Sequence, residues 1–112
     1  MVASVWELAG YPAETSGFYA GWAPNPDSSL LGLTQVAYAD LFGLEPDFTA
    51  VHAGLECGAI GAIYPGMDMI SIGPTINDVH STRERLHIPS VDRAMRLLYA
   101  VLQRVPEFPQ DR

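Results

Sequence analysis

No lysine occurs anywhere in the 112 residues, and none of the six arginines precedes Arg83, so positions 1–82 carry nine carboxylates and no basic side chain. With a net charge of −9 up to residue 82 and +2 beyond it, the chain has no clustered positive surface. Nucleic acid is therefore not an expected partner, because backbone phosphates are held by clustered Lys and Arg. Carboxylates among the nine that are solvated need no partner. Any that is buried must take its compensating charge from the late arginines, from a metal ion, or from protein outside the chain.

Cysteine is nearly absent as well. A lone Cys57 excludes an internal disulfide and a thiolate metal cage, and gives no sign of an oxidising compartment. It reads as a small buried hydrophobe rather than a nucleophile. No apolar run approaches the about 20 residues of a membrane span. The first ten residues hold Glu7 and no Lys or Arg, unlike a secretory leader. The expectation is a soluble, cytoplasmic protein without a membrane partner. What is present is a 48% hydrophobic chain with 10 Gly and 9 Pro dispersed through it, enough for one compact unit rather than disorder.

Residues 2–22 contain a strand-like run, Val5 to Leu8, then Gly10, Pro12, Gly17 and Gly21 among aromatics, the pattern of an extended, turn-broken arm. Pro24 and Pro26 disfavour helix in the residues before them and set a boundary near residue 23. Ser28 or Ser29 caps a helix with apolar Leu30, Leu33, Ala37 and Leu41, stopped by Gly43. Phe48 to Ala53 and Met67 to Ile72 read as strands, with Leu55 to Ala62 between them as a short helix or a loop. After a loop from Thr75 to Leu86, Ser90 caps a last helix with the stripe Val91, Ala94, Leu98, Val101 or Leu102, and Val105, ended by Pro106 and Pro109. This order predicts an α/β fold in which helices pack on a partial mixed sheet behind an extended arm. The uncharged strand interiors ask for cover on both faces, and two short strands need neighbours from a longer chain.

The three histidines differ in context. His87, between Leu86 and Ile88, reads as structural. His52, in the strand beside Gly54, reads either as a packed histidine at the sheet's end or as a group supporting a ligand. His80 lies in the polar loop Asn77-Asp78-Val79-His80-Ser81 beyond Gly73-Pro74, where a side chain at a strand's C-terminal edge faces a ligand crevice. Asp78, His80 and Glu84, with His52 or Glu56 from the neighbouring strand end, form the nearest approach to a metal set. Their spacing defines no geometry, so a single ligand completing a site built elsewhere fits better than a self-contained one.

The stretch His52-Ala53-Gly54-Leu55-Glu56-Cys57-Gly58, the run from Tyr64-Pro65-Gly66-Met67-Asp68 through Gly73-Pro74-Thr75-Ile76, and His80-Ser81 with Glu84 resemble the C-terminal end of bacterial aminoacyl-histidine dipeptidases, also called cytosolic non-specific dipeptidases. Tyr19-Ala20-Gly21-Trp22 is similar to that family's Tyr-Pro-Gly-Trp segment, with Ala20 in place of proline, and Thr82-Arg83 stands where the family has Pro-Asp. The resemblance implies the C-terminal portion of a metallopeptidase catalytic domain, residues 24–112, preceded in 1–23 by the end of a lid or dimerisation domain and its hinge. It further implies two zinc ions hydrolysing dipeptides of the Xaa-His type. His80 is placed as the last metal ligand, and Gly54, Leu55 and Glu56 in a loop lining the substrate pocket. The remaining ligands and the general base fall to the rest of the polypeptide, which leaves the 112 residues inactive alone, and a homodimer of the full-length protein is compatible with the resemblance. The competing expectation is a non-catalytic accessory domain derived from such an enzyme, docking through its acidic face.

Overall fold

Residues 29–42 alternate apolar and small side chains at helical spacing and form a helix, with Ser28 in the capping position: its Oγ accepts the Leu31 N–H at 2.9 Å. The helix ends where Gly43 takes the left-handed conformation, φ 65°, and donates its N–H to Ala39 O at 2.8 Å. A second cap comes from far along the chain: Asp68 Oδ2 accepts the Leu30 N–H at 3.0 Å. The structure, a computed structural model, describes residues 2–51 and 53–107. In chain order its elements are α1 (Val2–Leu8), α2 (Ser29–Phe42), α3 (Glu56–Ile63), β1 (Ile76–Asn77), β2 (Arg85–Leu86) and α4 (Ile88–Arg104), closed by a 3-10 turn, Val105–Glu107.

Helix–helix packing occurs between α2 and α4, where Ala37, fully buried, meets Leu97 and Val101. Leu30, Leu33, Tyr38, Leu41 and Phe42 close over this contact. Arginines of α4 fasten its flank: the Arg93 and Arg96 guanidinium carbons sit 4.7 and 5.6 Å from the Phe42 ring centre, and Arg104 pairs with Asp40 at 2.7 Å. The expected stripe holds at Val91 and Ala94, half-buried, and at Val101, buried, but Leu97 rather than Leu98 faces α2, and Val105 is exposed. Leu98, Tyr99 and Leu102 extend the same apolar face beyond the part that α2 covers, with Leu102 55% exposed. The width of that face explains the error, since periodicity cannot say which part of it a neighbour will cover.

Three further expectations are corrected. Val5 to Leu8 belong to a helix, α1, not a strand; with no neighbouring strand, the backbone satisfies itself through local bonds. Phe48–Val51 and Met67–Ile72 carry no strand ladder, and no backbone hydrogen bond joins them among the described residues. Phe48–Val51 and Met69–Ile72 instead line one open groove of about 680 Å³. Ser90 does not cap α4, which begins at Ile88 with His87 in the capping position and Pro89 in its first turn. The undecided segment after Gly54 is helical, as α3, and the loop before α4 contains the hairpin β1–β2. The expected stop at Pro109 lies outside the described residues.

The arm from Tyr11 to Asn25 has no regular structure and passes under α3, where a Cβ on Gly58 would lie 2.1 Å from Ala20 O. The result is an α/β piece in which helices outnumber sheet. Its radius of gyration is 18.7 Å, against about 13 Å for a compact chain of this size. Its accessible surface of 9423 Å² is about one and a half times that of a folded monomer of equal mass. Leu97→Ala is expected to cost about 2–4 kcal/mol, and Leu98→Ala less than about 1 kcal/mol, measured by urea denaturation followed by circular dichroism.

Candidate functional site

His80 is carried by a hairpin whose two-residue strands pair antiparallel, Ile76 opposite Leu86 and Asn77 opposite Arg85. Its base is riveted to α4. The Thr75 N–H donates to Ser90 Oγ at 2.8 Å, the same hydroxyl donates to His87 O at 2.6 Å, and the His87 N–H donates to Thr75 O at 2.9 Å. His87, expected to be structural, serves here through its backbone.

Within the connecting loop two non-glycine residues are left-handed, Asp78 at φ 52° and His80 at φ 61°. Sparsely populated backbone conformations cost about 1–3 kcal/mol each, and local bonds offset them. Ser81 Oγ donates to Asp78 O at 2.7 Å and accepts the Arg83 N–H at 3.1 Å. Glu84 Oε2 accepts the His80 N–H at 2.8 Å. Arg85 Nη2 lies 2.8 Å from Asp78 Oδ2, closing the loop from side to side. The His80 imidazole is exposed and makes no hydrogen bond among the described residues.

The other candidates are placed elsewhere. Glu56 opens α3 and is exposed, and α3 touches neither strand of the hairpin. Leu55 precedes α3 in the capping position without a side-chain bond, and lines the large groove. Gly54 lies under Tyr19, whose ring would stand 3.3 Å from an added Cβ. His52 lies outside the described residues. Cys57 is half-buried with Sγ 3.9 Å from Ile70 O, the environment of a packed side chain. Among the described residues no three His, Cys, Asp or Glu side chains gather closely enough to hold a metal ion. The Asp78 and Glu84 carboxylates are already engaged, by Arg85 and by the His80 amide, which leaves His80 as an available donor. Among the described residues the donor set therefore fits one ligand of a metal site and not a whole one. Sequence reasoning missed Asp68 as a remote cap and Ser90 as the rivet; only the Asp78–Arg85 pair, opposite charges flanking a short loop, left a signal in the sequence.

The site is thus an exposed imidazole on a braced hairpin loop fastened to α4. The chain's relatives show which class of protein carries such a piece. It is 43% identical over 106 residues, 95% of its length, to the cytosol non-specific dipeptidase of Escherichia coli, of which it spans 22%. The crystal structure of aminoacylhistidine dipeptidase from Vibrio alginolyticus superposes with a TM-score of 0.75 at 39% identity, covering 97% of this chain and 22% of that one. No protein-family model matches. The chain thus corresponds in sequence and in fold to the C-terminal part of these dipeptidases, about a fifth of their length.

Because the side chain of His80 bears no internal load and its backbone is left-handed, His80→Gly is expected to leave stability unchanged or raise it by up to about 1 kcal/mol. Thermal denaturation checks this, and a loss of more than about 1 kcal/mol would show that the imidazole is structural.

Proposed function

We propose that this chain is the C-terminal part of a zinc-dependent dipeptidase, hydrolysing the peptide bond of dipeptides of the Xaa-His type in the cytoplasm, and that it contributes one metal ligand, His80. The observation that supports this reading is the exposed, unbonded imidazole held on a loop whose neighbouring carboxylates are engaged elsewhere. Two zinc ions in such a site supply an activated water near neutral pH and polarise the scissile carbonyl. The chain's own residues then have limited tasks. His80 donates a nitrogen lone pair, which requires its neutral form. Gly54 and Leu55 line the substrate pocket, and Glu56 holds the dipeptide or orients a ligand. The general base and the other ligands belong to the rest of the polypeptide.

The open groove supports the same reading. Phe48–Val51 and Ile70–Ile72 border it with backbone groups that no strand pairs. Backbone groups left unpaired in this way can accept a further strand. The reading assigns that place to a segment of the rest of the polypeptide, and Leu98, Tyr99 and Leu102 of α4 to another part of it. Residues 1–23 are then the end of a lid or dimerisation domain and its hinge, residues 24–112 part of the catalytic domain, and the full-length protein a homodimer. No helix of the described residues is long and apolar enough to cross a membrane.

The 112 residues alone are expected to show no dipeptidase activity and to bind zinc more weakly than about micromolar in calorimetry. Co-expression with the E. coli dipeptidase truncated of the stretch that aligns with this chain is expected to restore hydrolysis. His80→Ala should lower that activity by more than about 100-fold, since even residues that only support a ligand account for 10–100-fold. Tight zinc binding by the chain alone that is lost in His80→Ala, no restored hydrolysis, or restored hydrolysis indifferent to His80→Ala would contradict the proposal.

A further inference from the structure

Of the loop's side chains, Glu84 is the one that reaches the backbone of His80 itself. Ser81 holds the Asp78 carbonyl and Arg85 the Asp78 carboxylate, both two residues upstream of the histidine. Glu84 Oε2 takes the His80 N–H at 2.8 Å across four residues. Its own backbone is anchored: the Glu84 N–H donates to Ser81 O at 3.1 Å, and the next residue, Arg85, is paired in β2 with Asn77. A fixed carboxylate thus clamps the amide of a residue that is left-handed at φ 61°. Without that acceptor a non-glycine residue would relax toward negative φ and carry its side chain elsewhere.

We infer that Glu84 is a positioning residue: its carboxylate holds His80 in the left-handed conformation through the main-chain amide, so that the imidazole is presented in one direction before any metal or partner polypeptide arrives. The inference rests on the reading of His80 as a metal ligand for its purpose, but not for its geometry, since every contact in it lies between residues 77 and 85. Glu84 acts here as a hydrogen-bond acceptor, not as a metal ligand, and the glutamine side chain, with an acceptor oxygen and no charge, separates the two roles.

The test is amide hydrogen exchange by NMR on the metal-free 112-residue chain, comparing wild type, Glu84→Gln and Glu84→Ala. Glu84→Ala should speed exchange of the His80 amide by at least about tenfold, the effect of losing one bond to a charged acceptor. Glu84→Gln should stay within about threefold of wild type, because a neutral acceptor still takes the amide, if more weakly. The Leu97 and Val101 amides in α4 should be unchanged in all three, showing that the fold is intact. An unaltered His80 amide in Glu84→Ala would overturn the inference, as would a Glu84→Gln chain that exchanges like Glu84→Ala. No metal is present, so this result is independent of whether His80 binds zinc, which the calorimetry of His80→Ala decides.

Discussion

The packing of Leu97 and Val101 against Ala37 is the contact on which the remaining structure depends. A small side chain at position 37 lets α2 and α4 approach closely, and the arginines of α4 settle over Phe42 and beside Asp40 at its margin. Three further parts are tied to this pair. The Met67–Ile72 segment is tied to α2 through Asp68, α3 rests on that segment through Cys57 and Met69, and the hairpin is tied to α4 through Ser90. Three buried apolar residues among those described form a very small core for a chain of this length. The apolar surface left over, on α4 and around the groove, is the physical reason to read the molecule as one part of a larger layer.

The charge asymmetry finds its use in the same contact. The arginines begin only at residue 83, and four of the six engage residues earlier in the chain: Arg93 and Arg96 the Phe42 ring, Arg104 the Asp40 carboxylate, Arg85 the Asp78 carboxylate. The late basic segment is therefore a fastening for the acidic one. These pairs are exposed and individually weak, so they set orientation more than stability.

Two kinds of order meet in this chain, and they were not equally legible. Features determined by neighbours in sequence could be read directly: α2 with its Ser28 cap and Gly43 stop, the existence of α4, and the polar loop bearing His80. Features determined by distant or external partners could not. Phe48 and its neighbours have the composition of a strand, but a ladder requires a second backbone, and none is supplied within the described residues. Val2 to Leu8 turned helical for the same reason. Leu98 was placed in the α4 stripe where Leu97 belongs, because the apolar face of the helix is wider than the part that α2 covers. The candidate site was legible through its motif rather than its geometry: the run around Gly54 and the His80-Ser81 pair led to the dipeptidases, while the bracing by Glu84, Ser81 and Arg85 appears only in three dimensions.

If the sheet is borrowed from another stretch of polypeptide, its two flanking segments must be open while the helices are closed. Hydrogen–deuterium exchange with mass spectrometry on the 112-residue chain measures this directly. The account predicts slow exchange in α2 and α4, and near-unprotected exchange across residues 47–51 and 69–72, which becomes slow only when the truncated dipeptidase is added. Strong protection of those two segments in the chain by itself would mean that the sheet closes without a partner, and would contradict the account.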